Sequence, residues 1–137
     1  MGTETLTLSG SGTLADANVA TNKSVTLNTL SIADGSNGGL AANYILAGGT
    51  HQLSVTQRVL NATGTRLYDA STNANASDLS LGNLVGSETL VLSGVGTLLD
   101  KNVATNKTIS VGTLSLAAVS YTHLAANYTL SSGTHLL

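Results

Sequence analysis

Glu4-Thr5-Leu6-Thr7-Leu8 and Glu88-Thr89-Leu90-Val91-Leu92 are nearly the same stretch written twice, 84 residues apart. In each, leucines alternate with other residues, the period-two pattern of a strand with one face turned inward. Working outward from this pair, the correspondence continues without a gap. Laying residues 2–53 on 86–137 gives 32 identities in 52 positions. Asn18 falls on Asn102, Lys23 on Lys107, Tyr44 on Tyr128 and His51 on His135. A unit of this length is too long for one coil of a solenoid and long enough for a small β-domain. The 137 residues therefore read as tandem modules, with residues 61–85 opening the second copy and having no partner in the first.

The pattern predicts strands and almost no helix. Ser24-Val25-Thr26-Leu27 alternates, and Leu30-Ser31-Ile32 resumes on the opposite parity, which demands a bulge or a turn between them. Asn28 stands at the change and Gly112 replaces it in the second copy; both residues tolerate positive φ. Further strands are expected at 43–46, 52–57, 66–68, 79–84 and 127–130, separated by turn material at 9–12, 34–39 and 48–49. A helix over 69–79 is disfavoured, because its Ser and Asn residues compete for the backbone.

The expected fold is all-β: tandem small β-sandwich (immunoglobulin-like) repeats of about 84 residues, the first copy incomplete. The strand pattern alone is shared by other small β architectures. Residues 1–60 read as the C-terminal part of one repeat with its linker, and 61–137 as a second repeat lacking its last strand. Tyr44 and Tyr128 read as core rings with the hydroxyl at the rim, in preference to a sugar-stacking platform.

Composition removes several classes. Charged residues make up 9% of the chain, about a third of the usual share. Five Lys and Arg against seven Asp and Glu leave a net charge of −2, so there is no basic footprint for nucleic acid. The absence of Cys excludes a disulfide scaffold, Cys-ligated zinc, iron–sulfur clusters and thiol catalysis. The apolar runs fall far short of the ~20 residues of a membrane helix. Met1-Gly2-Thr3-Glu4 is no secretory signal, so the chain reads either as cytoplasmic or as part of a longer protein.

The chemical candidates are few. His51, His123 and His135 would need a nucleophile and an orienting carboxylate to form a triad. His51 and His135 are one position in two copies, read here as an exposed strand-edge histidine. Asp16 with Asn18, and Asp100 with Asn102, place oxygen ligands two residues apart as calcium loops do, but the third acid, the Gly and the distal Glu are missing. Asx-turns are the competing reading. Lys23 and Lys107, with Asn43, Asn127, Glu4 and Glu88, are candidates for intramolecular amide cross-links, which need a buried neutral Lys beside a protonated carboxyl. Asn-x-Ser/Thr triplets begin at Asn22, Asn61, Asn75, Asn106 and Asn127. The acids are scattered singly, so no enzyme is expected, and no catalytic residue or cofactor is assigned.

Several segments carry a family resemblance. Leu67-Tyr68-Asp69-Ala70-Ser71-Thr72 resembles the Tyr-Asp-Gly-Thr-Thr opening of the YDG-type repeats of large bacterial secreted adhesins. Leu92 to Thr97 and Asp100 to Lys107 resemble the middle segment of those repeats. Ala126-Asn127-Tyr128-Thr129-Leu130 resembles their closing strand, and Ser54 to Leu60 their inter-repeat linker. Ala70 stands where Gly is expected, Gln57 where Pro is frequent, and Val119 to His123 replace the Gly-rich loop at 35–39. The resemblance implies stalk modules of a filamentous-haemagglutinin-like exoprotein, secreted or on the cell surface, with the export signal outside this stretch.

Sheets normally guard their edges with charge or Pro, and here charge is scarce and Pro absent. Thr/Leu alternations of this kind are templates for strand addition, so a repeat lacking a strand offers an open groove to a neighbour. The expected function is therefore structural: a stalk or fibre repeat whose partners are neighbouring repeats, other copies of the chain, and a host or environmental surface. The alternative is a glycan- or receptor-binding module using Tyr121 and the loops at 34–39 and 118–123.

Overall fold

The computed structural model describes residues 2–120 and 123–137. The chain divides into two units, Met1–Thr56 and Gln57–Leu137. The first carries β1 (Leu6–Ser9), β2 (Ala20–Ser24), β3 (Ser31–Asp34) and β4 (Gln52–Val55). The second opens with β5 (Arg58–Val59), β6 (Asn61–Gly64), β7 (Asn73–Asn75) and β8 (Leu79–Gly82). It continues with β9 (Leu90–Ser93), β10 (Val95–Leu98), β11 (Ile109–Ser110), β12 (Ser115–Ala118), β13 (Tyr128–Thr129) and β14 (His135–Leu136). Single 3-10 turns at Ala41–Asn43, Ala76–Asp78 and Ala125–Asn127 are the helical elements of the described residues. None is long enough to cross a membrane.

The two copies share their register. β1 runs antiparallel to β3 with Leu8 opposite Ile32, and β9 runs antiparallel to β12 with Leu92 opposite Leu116. Both members of each pair are shifted by the same 84 residues. Left-handed backbone recurs in step as well: Asn28 (φ 46°) matches Gly112 (φ 57°), and Asn22 (φ 53°) matches Asn106 (φ 55°). At Asn28 the parity change is a turn, closed by the Leu30 amide donating to the Leu27 carbonyl at 2.8 Å.

The units differ in what covers them. In the second, β10 lies between β11 and β7, and β6 lies between antiparallel β8 and parallel β14. β5 adds parallel to β13. These sheets enclose one cluster: Leu60, Ala62, Ala74, Leu79, Leu98, Ile109, Leu114, Tyr128 and Leu130. All buried apolar side chains among the described residues lie at or beyond Leu60. In the first unit, β2 pairs with β4 and β1 with β3, and a single bridge joins Thr13 to Thr26.

Three expectations need correction. Residues 66–68 form no strand, because the Arg66 guanidinium folds back on Asp69 and Ser71 and fixes a loop. No strand forms at 43–46, where Asn43 ends a 3-10 turn, and at 127–130 the strand is β13 alone, after a 3-10 turn ending at Asn127. His135 is no exposed edge residue; it is buried, for the reason given below.

Candidate functional site

The face that distinguishes the units is built from one segment, Gln57 to Val85, laid on one body, residues 86–137. The segment contributes Leu60, Ala62, Ala74 and Leu79 to the core, and the body contributes Leu98, Ile109, Leu114, Tyr128 and Leu130. Burying one such Leu or Ile stabilises by roughly 1.5–3 kcal/mol.

Polar groups fix how the segment lies. The Leu60 amide donates to the Thr129 carbonyl at 2.8 Å, and the Thr134 amide donates to Asn61 Oδ1 at 2.9 Å. The Ala62 amide donates to His135 Nδ1 at 3.0 Å, while His135 Nε2 bonds the Leu130 carbonyl at 2.8 Å. The ring is thus the neutral Nε2–H tautomer, one nitrogen donating and one accepting, and this double use explains its burial. The Leu98 amide donates to Thr72 and the Ala76 amide to Gly94. The Val85 amide donates to the Tyr128 hydroxyl, which in turn bonds the Glu88 carboxylate. Burial first, and then this bond to Glu88, push the Tyr128 phenol above its ordinary value. Gly133 lets the segment come close: a Cβ there would stand 2.0 Å from the Leu60 carbonyl oxygen.

The first unit carries the same body without that cover. Leu14, Val25, Leu30 and Leu46 occupy the positions of Leu98, Ile109, Leu114 and Leu130, and each is half-buried where its counterpart is buried. Tyr128, 4% exposed, is the core ring expected, whereas Tyr44 is 49% exposed and is not. Tyr44 still bonds Glu4 at 2.7 Å, and His51 Nε2 still bonds the Leu46 carbonyl at 2.7 Å. The bond to Glu4 raises the Tyr44 phenol above its ordinary value.

The metal candidates form a different arrangement. Asp16 Oδ1, the Asp16 carbonyl and the Asn18 carbonyl all accept from Lys23 Nζ, at 2.6–2.8 Å. Asp100, Asn102 and Lys107 repeat this triad at 2.6–2.8 Å. Asx-turns hold both loops, the Asn18 and Asn102 amides donating to Asp16 and Asp100. The hydrogen bond from each lysine, foremost, and then the asparagine amide hold both carboxyls below their ordinary value. These oxygens face an ammonium, so the donor set fits lysine and offers calcium no acid-rich cage. Among the described residues no three His, Cys, Asp or Glu side chains converge as a metal site. Lys23 and Lys107 are thereby directed to aspartates, and Glu4 and Glu88 to tyrosines, so the cross-link partners do not meet.

The remaining histidine, His123, accepts from the Thr89 amide at 3.2 Å. Tyr121 lies outside the described residues. The loop at 34–39 is occupied by internal bonds, Ser36 with Thr5 and Gly35 with Gly39. A groove of about 470 Å3 in the second unit runs between Gly64 to Tyr68 and the 101–107 loop. Its Ala104 edge matches Ala20, which β4 covers in the first unit by pairing Val55.

The loop at Tyr68-Asp69-Ala70 has a physical signature of its own. Asp69 Oδ1 accepts the Ser71 amide at 2.9 Å, and Ala70 between them is left-handed at φ 62°. That conformation favours glycine. An all-β chain of tandem units built on one body plan, with the Asp69 turn in the second, defines a repeat class. The YDG domain matches residues 1–52 and again 51–135, and the chain belongs to that family. No curated protein and no solved structure matches it.

Proposed function

We propose that the chain is a structural, stalk- or fibre-building stretch of a bacterial cell-surface or secreted adhesin, its repeats joined end to end by β-strand complementation. The proposed role is mechanical, with no reaction, metal or cofactor. Each repeat is proposed as a small immunoglobulin-like sandwich, a reading supported by the antiparallel pairs β1–β3, β9–β12 and β6–β8. One observation supports the functional reading: the same body, with the same strand pairing, recurs 84 residues along the chain, as a string of modules requires. Repeated modules strung in series build length without new chemistry.

The test is location and ligand. Antibodies raised against the purified chain should label intact producing cells, and external protease should remove the label. A glycan array should show no saturable binding. Label confined to the cytoplasm, or tight binding to one glycan class, would replace this reading with another.

A further inference from the structure

The loop Asp34-Gly35-Ser36-Asn37-Gly38-Gly39 holds the sole Asp-Gly and the sole Asn-Gly pair of the sequence. In such a pair the glycine amide nitrogen can attack the side-chain carbonyl carbon before it, and no Cβ on the glycine stands in the way. The fold treats the two pairs differently. At Asp34-Gly35 both reacting groups are engaged: the Gly35 amide donates to the Gly39 carbonyl at 3.0 Å, and Asp34 Oδ1 accepts the Ala41 amide at 2.7 Å. At Asn37-Gly38 the attacking group is free. Among the described residues the Gly38 amide has no hydrogen-bond partner, and nothing lies within 4 Å of the place a Cβ on Gly38 would take. Asn37 (φ 56°) and Gly38 (φ 84°) form the exposed tip of a turn closed by the Gly39 amide on the Ser36 carbonyl at 3.2 Å. The left-handed Asn28 lacks this freedom, since Thr29 follows it and the Thr29 amide donates to the Ser11 carbonyl at 3.2 Å.

We propose that Asn37 is a site of one-way covalent modification, deamidation through a cyclic imide formed with Gly38, and that Asp34 in the same loop is held inert. The Gly38 nitrogen bonds to Asn37 Cγ, and the bond from Cγ to Nδ2 breaks. Nδ2 leaves as ammonia with the proton that the Gly38 nitrogen sheds. One solvent water then opens the ring. Cleavage at Cγ gives aspartate, and cleavage at the main-chain carbonyl gives isoaspartate, whose backbone runs through the former side chain. The consequence is local. Asn37 Nδ2 donates to the Thr3 carbonyl at 3.1 Å, and a carboxylate has no proton to offer there. The same loop takes the Thr5 amide on the Ser36 carbonyl at 3.1 Å and gives the Ser36 amide to Thr5 Oγ1 at 2.8 Å. Conversion therefore loosens the entry into β1. The second copy has Tyr121-Thr122 at this place, so the change belongs to the first unit alone. The inference does not rest on the stalk reading.

The experiment holds the full chain in mildly alkaline buffer, folded in one arm and unfolded in urea in the other. Peptide mass mapping and isoaspartate methyltransferase labelling follow the conversion. In the folded chain Asn37 should convert with release of ammonia while Asp34 stays unlabelled; in urea both should react. Hydroxylamine, which cleaves the cyclic imide, should split the folded chain between Asn37 and Gly38. Gly38→Ala should slow the conversion several-fold; the comparison of folded with unfolded wild type stands even if that chain folds poorly. Hydrogen exchange at the Thr5 amide should quicken in the aged chain and in Asn37→Asp. An Asn37 that stays intact in the fold while the unfolded chain converts, isoaspartate forming equally at Asp34 in the fold, a folded Gly38→Ala chain that converts as fast, or Thr5 exchange unchanged after conversion would each overturn the proposal.

Discussion

The Tyr128 hydroxyl hydrogen-bonds the carboxylate of Glu88, forty residues earlier, and the Tyr44 hydroxyl does the same to Glu4 at 2.7 Å. The pair ties the end of each body back to its first strand. In the second unit a third group joins, the Val85 amide, which makes the phenol both donor and acceptor. The contact is local in the first unit and belongs to the closed core in the second.

Tyr128→Phe removes a charge-assisted bond and leaves the Val85 amide without its acceptor. The second unit should lose about 1–2 kcal/mol, read as a lower urea midpoint at constant slope. Tyr44→Phe should leave that transition where it is. The alkaline limb follows from the raised Tyr128 phenol. A group whose folded value is raised contributes stability that is complete below the unfolded value, about 10, and is lost as pH climbs through the folded one. Wild-type stability should therefore fall above about pH 10, and Tyr128→Phe should flatten that fall.

Ala70→Gly should stabilise the second unit. Ala70 holds φ 62° inside a turn fixed by Asp69, Ser71 and Arg66, so its Cβ is strained without packing in the core. Relief of that strain outweighs the extra freedom of glycine in the unfolded chain, for a gain of about 0.5–1 kcal/mol. Thermal melts of the two chains compare directly, and an unchanged or lower melting temperature would show that the turn carries no strain.

Much of this was legible in the sequence, and the gaps have physical causes. Period-two alternation at Leu6, Leu8, Leu90 and Leu92 marked β1 and β9; in β9 both leucines turn inward as the pattern implies, while in β1 Leu8 is exposed. Asn28 against Gly112 marked a left-handed turn, because few residue pairs interchange there. The Asx-turns at Asp16 and Asp100 were readable from spacing. The parallel pairs β5–β13 and β6–β14 were not, since partners some seventy residues apart leave no local trace. Nor was the burial of His135, whose neighbours Thr134 and Leu136 read as an ordinary edge; the signal was the repeated Gly-Thr-His, with the glycine clearing space for a covering strand. The lysine triads escaped notice because Asp100 and Lys107 are seven residues apart and meet only when the loop between them closes.

Acid should loosen both lysine loops. In the fold the Asp16 and Asp100 carboxyls lie below their ordinary 3.8, first through the bonds from Lys23 and Lys107. Asp69 is lowered too, chiefly by the Ser71 amide. A depressed folded value gives stability present above the unfolded value and lost as pH falls through the folded one. Urea midpoints should thus hold steady near neutrality and decline below about pH 4. Lys107→Met should shrink the decline in the second unit. Because ammoniums already occupy the loop oxygens, millimolar calcium should leave the melting temperature unchanged, and a calcium-dependent rise would revive the metal reading.

Gly133→Ala and Gly49→Ala are the same change at equivalent places in the two bodies, and they should differ in cost. At Gly133 the new methyl meets the Leu60 carbonyl at 2.0 Å, backbone against which no side chain can rotate away. The covering segment must shift, drawing the Ala62 amide off His135 and loosening Leu60 in the core. Overpacking of this kind costs about 1–3 kcal/mol, and amide exchange at Leu60 and Ala62 should quicken with it. At Gly49 a Cβ would stand 3.2 Å from the His51 ring and the Leu46 carbonyl, tight but free of the 2.0 Å clash, so the first unit should lose clearly less. Equal losses at both positions would mean that the glycine serves the body's own turn and not the approach of a covering strand.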